Sequence, residues 1–463
     1  MAVLELHPDR LLPPDTAIRP IARRLYELVA ELPVVSPHGH VDAALLADDQ
    51  PFSNPAALLV TPDHYVTRLL HASGVPLSEL GANAEPRHVW RRLCGHWEVF
   101  RGTATRQWLE AELVQVFGVG QRPSAENADA LYDQLCARLA APEFRPRALY
   151  HRMGVEVLAT TDDPASDLAA HIVLRDDPTW DGRLVPTFRP DAYLEVRSPG
   201  WDRRLGALGE AAGVDIDGYE TFLDALARRR ATFVAMGATA TDHGHLDAGT
   251  EPLDPAVARR LFSLALDGTI DEASALALRR HLVFEMAAMA ADDGLVMAIH
   301  PGVLRGHHRP TTAAFGPDTG HDIPVAVELT RSLRPLLERF GTSGRFRLVV
   351  FSTDETIWSR ELAPLAGFYP NLYIGAPWWF LDAPDAMARF RAAVTETAGF
   401  SRSAGFVDDT RALCSIAVRH DVARRVDCGY LSRLVAEHRL DEDEAAQVAL
   451  DLAGAQARRV FRL

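Results

Sequence analysis

The chain has 463 residues, 48% of them hydrophobic and 24% charged, which excludes a disordered or low-complexity protein and fits about three domain-sized units or one large barrel with insertions. All 48 basic residues are arginine, so a pyridoxal phosphate or aldolase Schiff base, a Walker P-loop and a two-metal site bridged by a carboxylated lysine are excluded. The net charge of −15 repels phosphate, which argues against nucleic acid and membrane surfaces as partners and requires any anionic substrate to meet a local arginine.

The opening MAVLELHPDRLLPP has no basic start followed by an apolar stretch. Cys94, Cys136, Cys414 and Cys428 show no C-x-x-C spacing. No run approaches the ~18 apolar residues of a membrane span. A reduced, cytoplasmic protein is expected.

In chain order, IARRLYELVAEL predicts a helix with Ile21, Leu25, Leu28 and Val29 on one face. An apolar run, LPVVSP at 32–37, reads as a strand that stops at the turn His38-Gly39-His40. From about 45 to 150 the patterns are helical, as in ARLAAPEFRPRALYHRMG, and predict a helical insertion. Seven more short apolar runs then alternate with amphipathic stretches: 155–161, 184–188, 238–241, 295–300, 347–352, 371–375 and 405–408. Eight buried parallel strands alternating with helices are the pattern of a (β/α)8 TIM barrel. A doubly wound sheet is the alternative, but no G-x-G-x-x-G follows any run. The expected division is 1–44 for the N-terminal segment and first barrel strand, 45–150 for the insertion, and 151–463 for the remaining barrel with C-terminal helices.

The strand ends are polar: His38 and His40, Thr161-Asp162-Asp163, Arg189 and Asp191, Asp242 and His243, His300, Thr353-Asp354-Glu355, Trp378-Trp379, and Asp408-Asp409-Thr410-Arg411. In a barrel these ends converge on one mouth. His38 and His40, two apart on a strand, can offer two imidazoles to one cation. With 18 histidines, about 0.7 such H-x-H pairs arise by chance, and a second does occur at His243-Gly244-His245. The company of His300 and Asp409 makes the first pair informative, because two or three imidazoles plus one carboxylate suit a catalytic divalent ion such as zinc.

SPHGHVD, PFSNPAALLVTPDHYVTRLLHASGV, ATTDDP, FRPD, IHPG, WWF and DDTR follow one another in the order of the landmarks of uronate isomerase (glucuronate isomerase), a divergent branch of the amidohydrolase superfamily, which the sequence resembles over nearly its full length. The resemblance implies a (β/α)8 barrel of the metal-dependent hydrolase type that interconverts D-glucuronate with D-fructuronate and D-galacturonate with D-tagaturonate. It places the metal ligands on His38, His40 and Asp409, with His300 as a further ligand or a hydrogen-bonding partner. Asp408 adjoins Asp409, and the family's Asp-Ser/Thr-Arg order selects the second as the ligand. The resemblance also places the active-site His-Tyr pair on His64-Tyr65, substrate-binding arginines on Arg189 and Arg411, and a tryptophan pair near the sugar on Trp378 and Trp379. Asp242 is a further substrate-site candidate at the fourth strand. The implied cofactor is one divalent metal ion, Zn2+, the implied partner is a small hexuronate, and a homo-oligomer is expected.

Aldose–ketose isomerisation moves a proton between C2 and C1 through an enediol, and requires a base and a stabiliser of negative charge. Tyr65 as phenolate, Asp409 and a metal-bound hydroxide are the candidate bases. Arginine geometry suits a substrate carboxylate. A mononuclear deaminase shares the metal donors but wants a glutamate just beyond the strand-five histidine, where this chain has PGVLRGHH. A non-catalytic sugar-acid sensor would share most of these residues.

Overall fold

The computed structural model describes residues 3–463. Seven strands run parallel: β1 (Val34–Ser36), β2 (Val155–Ala159), β3 (Arg183–Val185), β4 (Ala240–His243), β5 (Val296–Ile299), and, after a small antiparallel hairpin β6 (Val303–Leu304) and β7 (Ile323–Pro324), β8 (Leu348–Val350) and β9 (Leu372–Ile374). The ladders pair β1 with β2 and β2 with β3, and separately join β4, β5, β8 and β9 in that order.

Single contacts close these two sheets into a ring. Phe188 bridges to Asp162 on one side and to Thr241 on the other, joining β2 and β3 to β4. Pro186 has no N–H to give, so the third run leaves its ladder after Val185 and pairs again only at Phe188. On the far edge Ile374 bridges to Ser403, and the amide of His40 donates to the carbonyl of Thr410 at 2.9 Å, returning to the end of β1. The eighth run, 405–408, is therefore present in the ring but forms no regular strand. Gly405 and Asp409 both have positive φ, +82° and +44°, which interrupts an extended ladder.

Alternation sorts the barrel residues. Met297, Ile299, Leu348, Val350, Leu372 and Ile374 join the core shared with the outer helices, whereas Val296, Ala298, Val349 and Phe351 pack with Ala376, Trp378 and the C-terminal Val460 and Phe461. The C-terminal segment lies across the strand N-termini, where Arg347 at the start of β8 donates to the carbonyl of Val460 at 2.8 Å. The polar mouth is at the opposite end.

Between β1 and β2 the chain is almost wholly helical, from Ala43 to Arg152, and builds its own apolar cluster around Trp90, Phe100, Leu113 and Leu135. Among the described residues no helix is long and apolar enough to cross a membrane, and the four cysteines are unpaired.

Candidate active site at the barrel mouth

The turn after β1 and the segment after Val407 supply the innermost polar groups. His38 Nε2 lies 3.4 Å, and His40 Nε2 3.0 Å, from the same Oδ1 of Asp409. His300, the residue after β5, stacks on His38 with ring centroids 4.9 Å apart. Ligand atoms of His38, His300 and Asp409 lie within 4.8 Å of one another. Asp409 holds this position in a left-handed backbone conformation, uncommon for residues other than glycine but tolerated better by aspartate than by most.

The inner atoms lack hydrogen-bond partners. His38 Nδ1, both ring nitrogens of His300 and Asp409 Oδ1 are buried with no hydrogen bond of acceptable geometry among the described residues. Buried polar atoms are normally satisfied. Imidazoles and a carboxylate left in this state match the donor set of a divalent cation, and the residues present fit such a group.

Burial alone would raise the pKa of Asp409, but the His38 and His40 imidazoles beside its Oδ1 hold it well below the usual carboxylate range. Asp242, buried at the end of β4, is also held well below that range against its desolvation, chiefly by Arg189 and then by His38 and His300. His300 Nδ1 lies 2.8 Å from Asp242 Oδ1, and Arg189 spans Asp242 at 3.0 Å and Asp191 at 3.3 Å. Asp242 thereby links the arginine to the histidine cluster.

A cavity of about 330 Å3 opens over this cluster, a size suited to a small ligand. His40 and Asp409 reach its wall, together with Arg189, Arg411, His64, Tyr65, Trp378 and Trp379. His38, His300 and Asp242 are buried out of contact with it.

His64 and Tyr65 open the helix His64–Ala72, whose N-cap Asp63 accepts from the amide of Tyr65 at 2.8 Å. Trp379 Nε1 donates to His64 Nε2 at 3.0 Å, and the two tryptophans stack at 5.4 Å. Burial pushes the Tyr65 phenol well above 10, reinforced by Asp382 and opposed by Arg419, so the phenolate considered from sequence is disfavoured here. Arg411 is exposed and pairs with Asp318 at 3.0 Å. Asp162 lies away from the cavity, hydrogen-bonded to Thr160 at 2.6 Å, and Asp163 accepts from Tyr193.

Sequence reasoning missed Arg305, Asp318 and Arg419, which also line the cavity. Arg305 follows the β6 strand and lies over the Trp379 ring at 5.5 Å. Arg419, on the helix Ser415–Ala436, pairs with Asp382 beneath Tyr65. It lies one turn into that helix, eleven residues past Asp408, where nothing in the sequence marks it as part of the site.

The sequence profile of the family described as Glucuronate isomerase matches residues 16–461. Uronate isomerase of Corynebacterium efficiens is 50% identical over 462 residues, covering 99% of this chain and 98% of that protein. The crystal structure of glucuronate isomerase from Caulobacter crescentus superposes with a TM-score of 0.98 at 43% identity, covering 100% of this chain and 98% of that one. Uronate isomerase from Thermotoga maritima superposes with a TM-score of 0.93 at 28% identity, covering 99% of each chain.

Proposed function

The chain belongs to the glucuronate isomerase family, and from that membership and the cavity's geometry we propose that it interconverts D-glucuronate with D-fructuronate, and D-galacturonate with D-tagaturonate. The observation that carries the reading is the meeting of His38, His40, His300 and Asp409 beneath a cavity walled by arginines and tryptophans.

The substrate carboxylate needs a cation that stays charged, and Arg189 and Arg411 offer planar, two-point donors for it. Trp378 and Trp379 present apolar ring area suited to the C–H faces of a sugar. Both orient the open-chain aldehyde end toward Asp409.

Asp409 is the group we assign to carry the proton between C2 and C1, because it is ionised at neutral pH and stands at the cavity wall. Tyr65, kept protonated by its burial, donates a hydrogen bond to the oxygen on which negative charge develops. His64 accepts from Trp379 through Nε2, which leaves Nδ1 carrying its proton as a second donor on the same side. Asp242 fixes His300 and Arg189 relative to each other. A divalent cation, for which zinc suits the donor set, would be held by His38, His40, His300 and Asp409 and would polarise a sugar carbonyl as a Lewis acid.

The unpaired cysteines favour the reducing cytoplasm as the site of action. The test is incubation of zinc-replete protein with D-glucuronate and with D-galacturonate, reading ketose formation. The reading expects ketose from at least one sugar, and no ketose from either overturns it.

A further inference from the structure

A second histidine pair lies behind Arg189, outside the substrate cavity. His243 ends β4 and His245 follows two residues later, both at least nine-tenths buried. Asp191, at the start of the helical turn Asp191–Leu194, places Oδ1 3.4 Å from His245 Nε2 and 3.9 Å from His243 Nδ1. We propose that His243, His245 and Asp191 form a second divalent-cation site, separate from the one at Asp409.

The hydrogen-bond inventory supports this assignment. His243 Nδ1, His245 Nε2 and Asp191 Oδ1 lie within 4.8 Å of one another, and all three are buried without a hydrogen-bond partner among the described residues. Their outer atoms are engaged. His245 Nδ1 meets the Glu195 carboxylate at 3.0 Å, and His243 Nε2 meets Thr241 Oγ1 at 3.0 Å. Asp191 Oδ2 accepts from the Gly244 amide at 2.8 Å and from Arg189 at 3.3 Å.

The Glu195 carboxylate can only accept, so it fixes a proton on His245 Nδ1 and leaves Nε2 as the ring nitrogen facing Asp191 Oδ1. A carboxylate oxygen facing that nitrogen calls for a positive centre between them, a cation or a second ring proton, and metal counting separates the two. Carboxylate or hydroxyl partners on the outer ring nitrogens are the usual way metal-bound imidazoles are oriented. Metal–ligand bonds of about 2.0–2.1 Å at tetrahedral angles put neighbouring donors about 3.3 Å apart; His245 and Asp191 stand at 3.4 Å, and His243 and Asp191 would close from 3.9 Å.

Two nitrogens and one oxygen suit Zn2+ or a similar borderline divalent ion, with a fourth position left for water. A cavity of about 10 Å3, about the size of one water, is lined by both imidazoles and by Asp247, on the side away from Asp191. Because Asp191 also holds Arg189, occupancy of this site would brace the cavity wall from behind.

The inference stands apart from the isomerase reading, and metal counting tests it on the whole protein. Chelator-stripped chain is dialysed against Zn2+ and bound zinc is measured by mass spectrometry. Two ions per chain are expected, falling to one in His245→Leu and to one in the double variant His38→Ala/His40→Ala. An unchanged count in His245→Leu overturns the second site. A single ion lost in His245→Leu but kept in the double variant supports it while removing the first. Should His245→Leu fail to fold, a zinc-edge anomalous map of the wild type decides: a peak between His243, His245 and Asp191 is expected, and water density alone there overturns the proposal.

Discussion

His40 and Asp409 stand near opposite ends of the sequence, yet His40 Nε2 and Asp409 Oδ1 are 3.0 Å apart. The same two segments join through the His40 amide and the Thr410 carbonyl, so the bond that closes the barrel also sets the distance between the two side chains.

Asp409→Asn keeps the shape of the side chain while removing its charge. Turnover should fall at least about a hundredfold, the usual scale for a positioned charged group. Steady-state ketose formation checks this, and near-normal turnover would remove Asp409 from the scheme.

Arg411→Met removes a guanidinium that is exposed at the cavity rim and tied to Asp318. Turnover should fall at least about a hundredfold with folding intact if the guanidinium meets the substrate carboxylate as proposed. Steady-state kinetics with D-glucuronate, beside a thermal melt, separate the two effects.

Trp379→Phe deletes the donor to His64 while retaining most of the ring area. Stability should change by about 1 kcal/mol, the scale of one hydrogen bond. Turnover should fall by about tenfold as His64 loses its fixed tautomer. Chemical denaturation alongside kinetics checks both.

Glu112 is buried in the wide helical turn Glu112–Val116, and desolvation, aided by Asp63, raises its pKa to about 8. The unfolded chain releases that proton near 4.5. Between those values the folded state holds one more proton than the unfolded state, so this group's contribution to stability falls as pH rises through the window. Glu112→Gln should remove a slope of up to about 1.4 kcal/mol per pH unit. Denaturation midpoints at pH 5 and pH 8 for both proteins provide the measurement.

Arg391 and Asp427 form a buried two-point pair at 2.6 and 2.9 Å, and Arg391 also reaches Ser403 at 3.1 Å, where the eighth run begins. Asp427→Ala strands a buried guanidinium and should cost about 3–5 kcal/mol. Urea denaturation reads the loss.

The apolar runs were legible because buried parallel strands exclude polar residues on both faces. That rule also explains the register error at the fourth run. Thr241, Asp242 and His243 are fully buried strand residues, so a run expected over 238–241 is found at Ala240–His243. His38, His40, His300 and Asp409 could be placed together because each ends such a run. Arg305 could not, since it sits in an irregular Gly-rich loop whose hairpin has no periodicity to read. Arg419 lies one turn into the helix after the eighth run, where an arginine looks in sequence like any solvated helix position. His243 and His245 carry little weight in sequence alone, since about 0.7 such pairs arise by chance, and Asp191 folding against them makes the pair distinctive.

In the proposed mechanism, imidazoles after the first strand and a carboxylate after the eighth run hold one cation against the sugar. A zinc-edge anomalous diffraction map of crystals soaked with D-glucuronate tests it most directly. The account predicts a peak within about 2.0–2.2 Å of His38, His40 and Asp409, with the sugar's C1–C2 end beside it and its carboxylate against arginine. Density for the sugar outside this cavity, or no metal peak near Asp409, would contradict it.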